Sequence, residues 1–147
     1  MIRRLKNEHQ QFEIRLNTIQ EHIGRNEINE AIEIIHTISE LIIRHAVEEE
    51  ARLMRVIMQK AKDESPESIR IMQEHNWVMD FFKNKLGAIE NRINSKIDSQ
   101  KHEDYDHHID KIEQSKKELN EFIANLRNHF SEEEQIVFPL ALKADLL

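Results

Sequence analysis

Cysteine is absent from the 147-residue chain, and glycine and proline occur only twice each. Without cysteine there is no disulfide, thiolate metal site, iron–sulfur cluster or cysteine nucleophile. So few glycines and prolines leave little room for turns. Aromatics are sparse, with one Trp and one Tyr, and the aromatic and β-branched alternation that strands need is missing. Basic blocks are missing too, and a net charge of −7 argues against a nucleic-acid partner. The amino terminus, Met1-Ile2-Arg3-Arg4-Leu5-Lys6, is basic, but no apolar stretch follows to make a secretory signal. No run approaches the ~20 apolar residues of a membrane span. These exclusions predict a cytoplasmic chain with no membrane attachment, folded as one all-α domain over residues 1–147.

What is present is isoleucine and leucine at helical spacing, with charged residues between. A first helix is expected from about Ile2 to His22, closed by Gly24, with the face Ile2, Leu5, His9, Phe12, Leu16, Ile19 and Ile23. A second, from about Glu27 to Lys62, presents Ile28, Ile35, Ile38, Ile42, His45, Glu49, Leu53 and Val56. Ser65-Pro66 reads as an N-cap followed by proline at the first helical position. The third helix then runs to about Lys96, with the face Met72, His75, Met79, Phe82, Leu86, Ile89 and Ile93. Residues Ser95 to His108 lose the apolar period and read as a polar connection. The fourth face is Ile112, Leu119, Phe122, Leu126, His129, Glu133, Ile136 and Leu140, with Pro139 expected to kink or end the helix.

Four such helices predict an antiparallel up-down-up-down bundle. Each apolar face is interrupted by a histidine, and two of them by a carboxylate one turn later. Burying such groups unpaired is costly, so something in the core must satisfy them. The interruptions repeat: Glu8-His9 and Glu74-His75 in the odd helices, His45-x-x-x-Glu49 and His129-x-x-x-Glu133 in the even ones. At ~1.5 Å per residue, His9 lies roughly 22 Å from the Gly24 turn and His45 roughly 27 Å from Glu27. The same arithmetic around the other turns brings all six side chains into one layer, and the simplest occupant is a metal ion.

The set His9, His45-Ala-Val-Glu-Glu49, His75 and His129-Phe-Ser-Glu-Glu133, with the trailing Phe138-Pro139, resembles the hemerythrin-like (HHE cation-binding) family over nearly the whole chain. The resemblance implies two iron ions (Fe2+/Fe3+) with an oxo or hydroxo bridge, Glu49 and Glu133 bridging them and the histidines as terminal ligands. Two carboxylates, two histidines per iron and that bridge would fill about five positions on each metal, leaving one open. Oxygen-carrying members have a further histidine one turn after the third-helix histidine, and here that position is Met79. A thioether is a poor ligand for ferric iron, which argues against reversible oxygen carriage.

The expected function is binding of, or reaction with, dioxygen, peroxide or nitric oxide, in a sensing or redox-protective role. The alternatives are an iron-handling or peroxide-decomposing enzyme, or a structural site holding zinc or manganese. Several residues have a plainer reading. Any one of these histidines taken alone reads as a hydrogen-bonded core residue, and Met79 as core packing. One of Glu48, Glu50, Glu132 and Glu134 could support a ligating histidine. His22 sits too far along its helix to join the site. His102, His107 and His108 could hold an adventitious ion but read better as part of a solvated linker. Ile34, Leu41, Ile43, Ile71 and Val78 widen the apolar faces, fitting either a fatter core in a monomer or a weak homodimer surface.

Overall fold

The computed structural model describes residues 1–94 and 102–145. Among them are no strands, and four long helical runs: α1 (Ile2–Gly24), α2 (residues 28–60), α3 (residues 66–93) and α4 (residues 102–145). Helix α1 packs on α2 and α4, and α3 packs on the same two. The four thus close the predicted antiparallel bundle. No helix among the described residues is long and apolar enough to cross a membrane.

The turns differ in detail from expectation. Gly24 is the last helical residue rather than the stop, and Asn26 carries the left-handed conformation, with φ 62°. The Glu27 amide donates to the His22 carbonyl (2.8 Å) and the Asn26 amide to that of Ile23 (3.0 Å). This is a Schellman closure, and asparagine tolerates the conformation because its short polar side chain can bond locally. Pro66 does open α3, but the Ser65 hydroxyl donates back to the Lys62 carbonyl at 2.6 Å and caps nothing. Helix α4 starts at His102, inside the stretch expected to be a polar connection. Apolar periodicity registers where a helix is buried, not where the backbone is helical. The remaining positions of that connection, 95–101, lie outside the described residues.

Three of the helices contain a π turn: Glu49–Met54 in α2, Phe81–Lys85 in α3 and Glu133–Val137 in α4. Each widens the spiral locally. In α2 and α4 the core face beyond it is displaced by one residue, whereas in α3 the displacement begins before it and the expected face returns at Leu86. From His45 onward the inward stripe of α2 is His45, Glu49, Leu53 and Ile57, in steps of four, with Val56 only half-buried. In a regular helix such steps drift by about 40° each, and the π turn takes up that drift. In α4, Val137 and Ala141 go inward where Ile136 and Leu140 were expected. In α3 the buried pair is Val78 and Phe81, with Met79 and Phe82 half-buried beside them. Pro139 does not end α4, which continues to Asp145. Its missing amide falls just after the π turn, where the hydrogen-bond ladder is already interrupted.

The apolar interior divides in two. The larger cluster fills the Gly24 end, from Phe12 and Ile42 on one pair of helices to Val78, Ile89, Leu119 and Phe130 on the other. A smaller one occupies the Ser65 end: Leu5, Leu53, Ile57, Ile71, Met72, Val137, Phe138 and Ala141. Of the residues that widened the predicted faces, Ile71 and Val78 are fully buried and Ile34 packs against the larger cluster, so most of that width is core. Leu41 stays exposed. On the surface, Arg127 of α4 grips α1 at three points, Glu13 (2.7 Å), Asn17 (2.6 Å) and Gln20 (2.7 Å).

Candidate metal centre

Between the two clusters lies a polar layer containing all six residues singled out by the sequence. His9, His45, His75 and His129 are at most 5% exposed, and Glu49 and Glu133 are fully buried. The histidines form two pairs, one from each half of the chain. The ring centroids of His9 and His45 are 4.7 Å apart, and those of His75 and His129 4.8 Å. All four turn Nε2 inward, the His9 and His45 nitrogens approaching to 2.9 Å.

The two carboxylates sit between the pairs. An oxygen of Glu133 lies 3.3 Å from His9 Nε2 and 3.3 Å from His129 Nε2, and its other oxygen lies 3.4 Å from His75 Nε2. Glu49 approaches His45 Nε2 at 3.0 Å and His75 Nε2 at 3.5 Å. Ligand atoms of His9, His45, Glu49 and Glu133 fall within 4.8 Å of one another, as do those of His75, His129 and Glu133. Glu133 belongs to both groups.

These groups have almost nothing with which to hydrogen-bond. Both oxygens of Glu49 and of Glu133, and Nε2 of His75 and of His129, are buried without a hydrogen-bond partner. Orphans of this kind cost about 1–3 kcal/mol each, more for charged groups. They are all lone-pair donors aimed at a shared space, and a cation satisfies them together. The residues therefore fit a metal.

Without one, the layer divides its protons unevenly. Burial and the neighbouring Glu49 carboxylate push the Glu133 carboxyl well up. Burial also acts to raise Glu49, but close contacts with Glu133, His45 and His75 outweigh it and hold the carboxyl low. In the bare pair the balance thus tilts towards the neutral acid at Glu133 and the carboxylate at Glu49. Burial, helped by the adjacent His45 ring, brings His9 down to about 3. His129 is lowered by burial and by His75. His45 goes up instead: burial opposes the charge, but contacts with Glu49 and Glu8 prevail. A cation that displaces these protons relieves the conflict.

Outside the layer, each histidine turns Nδ1 towards a further glutamate. Glu8 reaches His45 at 3.1 Å and Glu74 reaches His129 at 3.2 Å. Glu50 reaches His75 at 3.1 Å, and Glu134 lies 3.4 Å from His9. Glu50 and Glu134 were among the expected supports. Glu48 pairs instead with Arg4 and Arg52, and Glu132 accepts from Arg70 at 2.8 Å. Glu8 and Glu74 were missed as partners, although the repeated Glu-His dipeptide was their signal. His22 stays at the Gly24 turn beside Glu27, 3.6 Å away. Met79 is half-buried and outside both apolar clusters. His102, His107 and His108 lie outside the residues whose side chains are described.

Comparison with known proteins gives one family. Residues 1–141 match the Hemerythrin HHE cation binding domain. No curated protein and no solved structure matches the chain.

Proposed function

From the premise that the chain belongs to the hemerythrin HHE cation-binding family, we propose that it holds two iron ions and uses them to bind or react with dioxygen, peroxide or nitric oxide, in a sensing or redox-protective role. His9 and His45 would serve one ion, His75 and His129 the other, with Glu49 and Glu133 shared between them. The observation that carries this reading is the reach of the two carboxylates. Each lies within 3.5 Å of histidines from both pairs, which is what a bridging ligand requires. When bound, the iron pair supplies positions at which a small ligand can be taken up or reduced.

The chain's own residues set the conditions for that chemistry. The two apolar clusters shut bulk water out of the layer from both ends, which strengthens every charge interaction inside it. Glu8, Glu50 and Glu74, bonded to Nδ1 of His45, His75 and His129, raise the donor strength of those rings. Met79 stands where oxygen carriers have a histidine and cannot replace it on ferric iron. This favours consumption of a ligand over its reversible carriage.

A second reading has one observation in its favour. His9, His45, Glu49 and Glu133 alone offer four ligand atoms within 4.8 Å, the number a single structural zinc takes. Elemental analysis after anaerobic iron loading separates the two. Two irons per chain, with optical changes on adding dioxygen, peroxide or nitric oxide, are expected. One metal per chain at saturation would sink the dinuclear proposal.

A further inference from the structure

The four outer glutamates look alike in the repeat but not in geometry. The Nδ1 atoms of His45, His75 and His129 make hydrogen bonds to Glu8, Glu50 and Glu74 at 3.1–3.2 Å. Glu134 lies within ion-pair distance of His9, at 3.4 Å, yet His9 Nδ1 is buried without a hydrogen bond. The His9 ring is held by its faces. Phe130 stacks on it at 4.4 Å and 25°, and Phe138 at 5.5 Å and 18°. Among the described residues, neither His75 nor His129 has a phenylalanine stacked on its face.

The geometry points to a division of labour: Glu8, Glu50 and Glu74 are positioning residues that commit His45, His75 and His129 to present Nε2 to the metal, whereas His9 is positioned by Phe130 and Phe138 and owes little to Glu134. The physical basis is that a hydrogen bond to Nδ1 fixes both the tautomer and the direction of the ring. Stacking fixes the plane of a ring and leaves its tautomer free. An acid at 3.4 Å without donor geometry contributes field and no direction. The inference rests on the metal reading above but names residues that reading does not require.

All four glutamates are at least one-third exposed, so alanine at any of them leaves the bundle intact. Co2+ titrated into metal-free protein, followed by its visible absorption, gives the affinity of each variant. Glu8→Ala, Glu50→Ala and Glu74→Ala should each weaken Co2+ binding roughly 10–100-fold. Glutamine at the same positions should recover part of the loss, because its amide oxygen still accepts from Nδ1–H. Melting of the metal-free protein should not move, which separates positioning from a structural role. Glu134→Ala should stay near wild type, and Phe130→Leu should fall with the weakened group. Equal losses at all four glutamates, or no loss at the first three, would overturn the assignment. Nitrogen-15 NMR of the metal-free rings decides the matter even if wild-type protein takes up no Co2+ and the metal reading itself fails. A proton on Nδ1 of His45, His75 and His129 is expected, and its absence there refutes the inference.

Discussion

The two apolar clusters that flank the polar layer are built on different helical periods. The larger one, at the Gly24 end, lies mostly on regular α-helix, and its buried positions follow alternating three- and four-residue steps. The smaller one draws Leu53 and Val137 from inside π turns and Ile57, Phe138 and Ala141 from beyond them, all downstream of Glu49 or Glu133. The same helices thus change pitch as they pass the site. The contrast teaches that the ligand-bearing glutamates belong mechanically to the smaller cluster, while the bulk of the apolar burial is elsewhere.

That contrast can be broken most forcefully in the larger cluster. Phe122 is 2% exposed and stacks on Phe81 at 3.7 Å. Phe122→Ala should cost about 3–5 kcal/mol in denaturant unfolding, by the same amount with and without metal. Leu53→Ala, one turn beyond Glu49, should cost about 2–5 kcal/mol and also reduce the extra stability that metal confers. If both variants respond to metal as wild type does, the coupling of the smaller cluster to the site is wrong.

The layer between the clusters gives the next effect. Free metal at 100 times its dissociation constant should stabilise the fold by about 2.7 kcal/mol, and a chelator should remove that increment. Glu49→Ala should abolish it, because the carboxylate contacts histidines of both pairs, while His9→Ala should keep part. A full increment in Glu49→Ala would contradict the shared role of that residue.

The smallest effect has the opposite sign. Gly87 in α3 has no positive φ, and a Cβ added there meets nothing within 4 Å. Gly87→Ala should stabilise the larger cluster's end of the bundle by about 0.5–1 kcal/mol, read as a higher midpoint with unchanged metal uptake. A lower midpoint would mean that α3 needs glycine's freedom beside its π turn.

The bundle and its six inward polar residues were legible because both depend on helical periodicity, which polar interruptions make conspicuous. Val56, Met79, Ile136 and Leu140 were placed inward by that same periodicity and are only half-buried, the fully buried position lying one residue away. A π turn leaves no signal in apolar periodicity read at a constant helical pitch. The outer glutamates show the complementary limit. Glu8 and Glu74 were visible as half of a repeated dipeptide. Their partners, however, are on other helices, 37 and 55 positions away, and only the folded arrangement reveals the pairing.

The grip of Arg127 on α1 has a consequence for how the molecule is made. Its three bonds join residues 107 to 114 positions apart, so they seal the seam between the first helix and the last. During synthesis α1 can pair with α2 early, but that seam stays open until most of α4 has been produced. Closing so long a loop is entropically costly and is rewarded only at the end. Assembly then runs from the amino-terminal helix pair towards α4, and the clasp is among the last contacts to form. An interaction of that kind slows the opening of the finished bundle more than it hastens its formation.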